Sequence, residues 1–175
     1  MKDWKRWCAL PLCAAALIAL AACSPSEPEA PLSEAESSIV YAQTEPERLG
    51  DVIDRIYEDI DMKGLQDAGL DQINDLFHIE TGLISDYAAR YSSGRYGVAD
   101  VVIVKVPDEQ SVDQVIEALE QRRTERVSEF ENYDVHDAYR IAQEAEIFSR
   151  GDYVIMLMVD DLDAARTVIY ETIPG

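Results

Sequence analysis

Cys23 is the residue best placed for covalent chemistry. Leu20, Ala21 and Ala22 stand directly before it, preceded by a basic start (Lys2, Lys5, Arg6) and an apolar run from Ala9 to Ala22. Small residues ahead of a cysteine let a peptidase hold an extended backbone in a narrow slot, and the thiol then takes a diacylglyceryl group. The apolar run is about 14 residues long, whereas a spanning helix needs roughly 20, so it reads as a cleaved signal rather than a transmembrane anchor. Two acyl chains hold a membrane stably, where one, at about 0.8 kcal/mol per buried methylene, holds it only marginally. The expectation is a signal peptide over 1–22, recognised by its peptidase at Leu20, Ala21 and Ala22, with lipid on Cys23. That places the protein on the outer face of the cytoplasmic membrane.

The other reactive types are sparse. Cys8 and Cys13 leave with the signal, so the mature chain keeps no free thiol. Thiol catalysis, a disulfide framework and cysteine metal ligation are thereby excluded. The only histidines, His78 and His136, are about 58 residues apart, and no sequence feature brings a serine, a histidine and an acid together. Asp134 and Asp137 flank His136 and could orient it as a base, but its position suits a capping or surface residue at a helix start. His78, between Phe77 and Ile79, reads as a half-buried packing residue. There is no Gly-x-Ser-x-Gly elbow and no glycine-rich nucleotide loop.

Calcium has one sequence mimic. Asp59-Ile60-Asp61-Met62-Lys63-Gly64 starts like an EF-hand loop, but Lys63 puts a cation where an oxygen ligand belongs, and Leu70 replaces the closing glutamate. Asp160, Asp161 and Asp163 cluster as helix caps that need no metal. No metal-ligand set, cofactor or catalytic residue is expected. Arg122, Arg123 and Arg126, interleaved with Glu120, Glu125 and Glu129, read as a salt-bridged helix face.

Charge narrows the partners. The whole chain has 15 basic and 35 acidic residues; removing residues 1–22 takes Lys2, Lys5, Arg6 and Asp3, which leaves 12 and 34 and a net charge of −22. Nucleic-acid binding depends on cationic side chains and is excluded. Anionic headgroups repel such a surface, so the lipid supplies the membrane attachment. The remaining candidate for recognition is tyrosine, which pairs contact area with a polar tip. Tyr96, Tyr133 and Tyr139 are the expected interaction surface, if the Ser92–Tyr96 turn meets the other two.

These residues need elements to hold them. Residues 23–44 are the lipidated cysteine and an acidic, proline-punctuated tether with nothing to bury, about 25 Å long as a flexible coil. The rest, 45–175, suits one domain. Thr44-Glu45-Pro46-Glu47 reads as a capping box opening a helix over about 46–61, striped by Leu49, Val52, Ile53, Ile56, Tyr57 and Ile60. A short helical turn is expected over Leu70 to Leu76. Leu83, Tyr87, Ala89 and Tyr91 alternate as a strand, and Val98 to Val106 is apolar on both faces, as in a central strand. Ser111 with Gln114 suggests a second capping box on a helix over 111–131, and another helical piece follows near 135–145. Gly151-Asp152 is a two-residue hairpin signal between strands 147–150 and 153–159. Asp160-Asp161 then caps a last helix. The expected fold is α+β: about four antiparallel strands in two hairpins, helices packed on one face, in the order α-ββαα-ββα.

Asp86-Tyr87 with Arg90-Tyr91, the strand Val101 to Val106, Phe130 and Tyr133, and the block Ala145-Glu146-Ile147 with Arg150-Gly151-Asp152-Tyr153 together resemble the domain of unknown function 4358 family over roughly residues 48–173. The order and spacing of these blocks carry the likeness. The resemblance implies a small surface lipoprotein of Gram-positive, mainly clostridial, bacteria, with no established activity. The expected function is a membrane-anchored extracytoplasmic lipoprotein, a non-enzymatic interaction module with a protein partner; the alternative is small-ligand or cation binding for a membrane system.

Overall fold

The computed structural model describes residues 48–175. Cys23 with its preceding small residues, the tether and the Thr44–Glu47 capping box lie outside the described residues. The elements run α1 (Leu49–Ile56), β1 (Leu65–Asp67), α2 (Leu70–Phe77), a 3-10 turn (Thr81–Leu83), β2 (Asp86–Ser92), β3 (Asp100–Lys105), α3 (Gln110–Phe130), α4 (Ala138–Glu144), β4 (Glu146–Arg150), β5 (Tyr153–Met158) and α5 (Leu162–Thr172). All strands pair antiparallel in the order β1-β2-β3-β5-β4. The class is α+β. The hairpins β2-β3 and β4-β5 meet where β3 pairs with β5, in register from Asp100 opposite Met158 to Lys105 opposite Tyr153.

Two expectations need correction. The sheet has five strands; β1 is a three-residue edge strand, too short to show an alternating pattern. The helices cover both faces, not one. Val102 and Val104 of β3 join Met156 and Met158 of β5 beneath α2, α3 and α4. Their neighbours Val101, Ile103, Ile155 and Leu157 point the other way, under α1 and α5. Side chains alternate along a strand, so the unbroken apolar runs Val101–Val104 in β3 and Val154–Met158 in β5 demand cover on both sides.

Element ends also shift. α1 stops at Ile56, and Tyr57, its C-cap, points inward and donates its hydroxyl hydrogen bond to the Ala99 carbonyl at 2.8 Å. Leu83 lies in the 3-10 turn, outside the strand in which it was expected. Ser111 and Gln114 form no capping box: Asp108 Oδ1 accepts from the Ser111 N–H at 3.0 Å, and Gln114 donates instead to the Gln110 carbonyl. The last cap stands as expected, with Asp161 Oδ1 accepting from the Ala164 N–H at 2.9 Å.

Candidate functional site

Two polar constructions lie at the end of the sheet where β3 begins. The first is buried. Asp100 is fully enclosed, and its carboxylate accepts from Arg126 Nε (2.9 Å) and Nη2 (3.0 Å), from Arg122 Nη2 (3.1 Å) and from the Ser92 N–H (3.0 Å). Arg126 also donates to the Ser92 carbonyl at 2.7 Å and to Glu129 Oε2 at 2.7 Å. Burial works against the charge on Arg126, but Asp100 and Glu129 outweigh it and raise its pKa, so the guanidinium stays charged. Arg122 lies over the Phe77 ring at 5.2 Å, and its Nε is buried without a partner.

The salt-bridged helix face expected of the α3 arginines forms in part: Arg123, half-buried, pairs with Glu120, and Arg126 with Glu129, while Arg122 and most of the Arg126 guanidinium turn inward to Asp100. Arg122 and Arg126 continue the buried stripe Ser111, Val115, Leu119, Phe130 at spacings of three and four. Two signals were present: arginines in phase with that apolar stripe, and a lone acid opening the strand Asp100–Lys105.

The second construction is an open cleft of about 880 Å³. One wall is the Glu58–Lys63 loop after α1; the others are the Tyr96–Ala99 turn, His136 ahead of α4, and the β5–α5 connection with α5 itself. Its floor is aliphatic, including Ile56, Ile60, Met62, Val98, Val159 and Val168. Its rim is acidic. Asp160 is held by Arg140 at 2.5 Å and Asp161 is spent on the α5 cap. The side chains of Glu58, Asp59 and Asp61 form no ion pair or hydrogen bond among the described residues, and that of Lys63 is equally unpaired.

Backbone geometry at this cleft is constrained. Gly97 has φ +109°, and a Cβ there would meet Met62 Cε at 3.4 Å and the Val135 carbonyl oxygen at 3.5 Å. His136 and Asp137 both adopt left-handed conformations, φ 52° and 58°, which non-glycine residues enter at a cost of about 1–2 kcal/mol. His136 is exposed at the cleft, and neither Asp134 nor Asp137 hydrogen-bonds its ring. Asp134 instead accepts from the Tyr139 N–H at 3.0 Å. Asp59 and Asp61 stand on the wall without convergence: among the described residues, no three acidic or histidine side chains gather as metal ligands.

Of the three tyrosines expected to form an interaction surface, Tyr96 alone lines the cleft, beside Gly97, which packs against Val135 and His136. Tyr96 is exposed on the cleft wall beneath Arg95, 5.6 Å from its ring centre. Tyr133 is 72 % exposed and lies outside the cleft lining, while Tyr139 is half-buried against the core under α2–α4. A smaller hollow of about 520 Å³ borders Arg48, Asp54 and Arg90. Its charges are already matched, Arg90 holding both Asp54 (2.9 Å) and Asp67 (2.6 Å).

The family model described as a domain of unknown function (DUF4358) matches residues 58–159. The chain belongs to this family. The DUF4358 span starts at Glu58 on the cleft loop and ends at Val159 on its floor, so it holds most of the cleft and all of the Asp100 cluster; the α5 wall lies beyond it. No curated protein and no solved structure matches the chain.

Proposed function

We propose that this protein is a membrane-anchored extracytoplasmic lipoprotein, held by lipid at Cys23 on the outer face of the cytoplasmic membrane, whose folded domain is a non-enzymatic interaction module. The observation carrying the module reading is the cleft, with its aliphatic floor and three rim carboxylates, Glu58, Asp59 and Asp61, that pair with no side chain among the described residues. Apolar centres with polar edges are how proteins recognise one another. The address rests on Leu20-Ala21-Ala22-Cys23 behind a basic, then apolar, leader.

Cell fractionation tests the address: Cys23→Ser should leave the membrane fraction, and its retention there would remove the anchor. Crosslinking on intact cells tests the module, with Cys23→Ser as the control. One stoichiometric, anchor-dependent partner is expected. No partner, together with a calcium- or metabolite-dependent rise in melting temperature, would replace the module with the small-ligand or cation-binding reading.

A further inference from the structure

We infer that the cleft docks a basic amphipathic helical segment of a partner protein, apolar side chains on the floor and Lys or Arg side chains against the Glu58–Asp61 rim. The inference rests on the interaction-module reading and narrows it to one chemistry. Three features select this occupant. The floor offers only aliphatic side chains, Ile60, Met62 and Val168 among them half-buried, so an occupant gains by covering them. Met62 adapts to different apolar shapes.

Among the described residues, the rim holds three carboxylates without a side-chain partner, Glu58, Asp59 and Asp61, against one such cation, Lys63. An acidic or neutral partner would leave them uncompensated, whereas a basic one would be steered in, helped by the chain's net charge of −20. Small-molecule sites enclose most of their ligand and aim a few polar groups at it. This cleft is open, its unpaired carboxylates sit along the Glu58–Asp61 wall, and the side chains of its floor are aliphatic. That layout fits the groove-bound helix, anchored by side chains at helical spacing.

The test uses the full-length chain in zwitterionic micelles and a synthetic Leu/Lys amphipathic helix with a benzophenone on its apolar face. Photolabelling should map to Ile60, Met62 or Val168 and fade with added salt. Glu58→Gln, Asp59→Asn and Asp61→Asn combined should weaken labelling roughly tenfold, and Val168→Lys should abolish it, both with an unchanged melting temperature. If Val168→Lys fails to fold, the rim variant alone decides.

Labelling spread over other surfaces would overturn the inference. So would equal labelling by an order-scrambled Leu/Lys peptide or by a Leu/Glu helix, or blockade by spermidine or calcium without peptide labelling. A photo-crosslinker replacing Tyr96 in cells separates the two readings: capture of a partner through a neutral or acidic segment would overturn this inference and leave the interaction module standing.

Discussion

Ala99 lines the open cleft, and the next residue, Asp100, reaches back into the fold toward α3. One residue thus separates two opposite uses of charge. Around Asp100, acid and guanidinium are matched, buried and hydrogen-bonded to backbone and to each other. Along Glu58–Asp61 the carboxylates are exposed and unmatched. Matched charge in a dry site fixes geometry, and removing one member strands the others. Unmatched charge in water costs the fold little and is available to whatever arrives. The sign of a cluster says less about function than whether its charges are already answered within the chain.

The sharpest break in this comparison is Asp100→Ala. It would leave Arg122 and Arg126 buried without their acid and should cost about 3–5 kcal/mol, read as a lower chemical-denaturation midpoint. Adding Arg126→Leu should cost less than the two single changes summed. A loss below about 1 kcal/mol for Asp100→Ala would mean that the cluster does not hold the fold.

Gly97→Ala touches both regions, since the Ser92 hydroxyl donates to the Gly97 carbonyl at 2.9 Å while Met62 crowds its α-carbon side. Its positive φ sets the expected loss at about 1–3 kcal/mol, measured as a fall in melting temperature. Asp161→Ala removes the α5 cap and should cost about 1 kcal/mol; a larger loss in the same melt would show that Asp161 does more on the cleft wall than cap α5.

Neutralising Glu58, Asp59 and Asp61 together should leave unfolding free energy within about 0.5 kcal/mol of the parent. A fall beyond 1 kcal/mol, roughly, would make the rim structural and erase the contrast. The smallest effect is expected at Glu125, which His78 Nε2 approaches at 2.8 Å. Burial acts to raise the Glu125 pKa, but the hydrogen bonds from His78 and Gln121 and the charge of Arg122 outweigh it and hold it below the usual value. This stabilisation is fully present above the unfolded carboxylate value of about 4.3 and is lost as pH falls through the lower folded value. Glu125→Gln should trail the parent by a few tenths of a kcal/mol near neutrality, solvent screening keeping it small. The two denaturation midpoints should converge in stronger acid.

What was legible in the sequence was local. Gly151-Asp152, the alternation of Tyr87, Ala89 and Tyr91, and the Asp161 cap each depend on neighbours a few residues away, and each forms as read. The sheet's second layer was implied by the unbroken apolar runs Val101–Val104 and Val154–Met158, yet hairpin connectivity alone suggested a single covered face. The inward turn of Arg122 and Arg126 was hidden by the glutamates at helical spacing around them; their true partner, Asp100, is 22 and 26 positions away. The cleft was less visible still, because its floor is gathered from separate stretches around residues 56–62, 98, 159 and 168.

The strand order carries a consequence for how the chain is made. β5 sits between β3 and β4 but is the last strand in sequence. Until it emerges, β3 offers one bare edge of unpaired backbone groups along its apolar run Val101–Val104, and α5 is not there to close the layer above. A polypeptide elongating from its N-terminus therefore receives the middle of this sheet after the other four strands. Products cut short before Tyr153 keep that edge open to other chains, as unpaired edges do. The stretch from Tyr153 to Thr172 decides whether the strands made before it can settle.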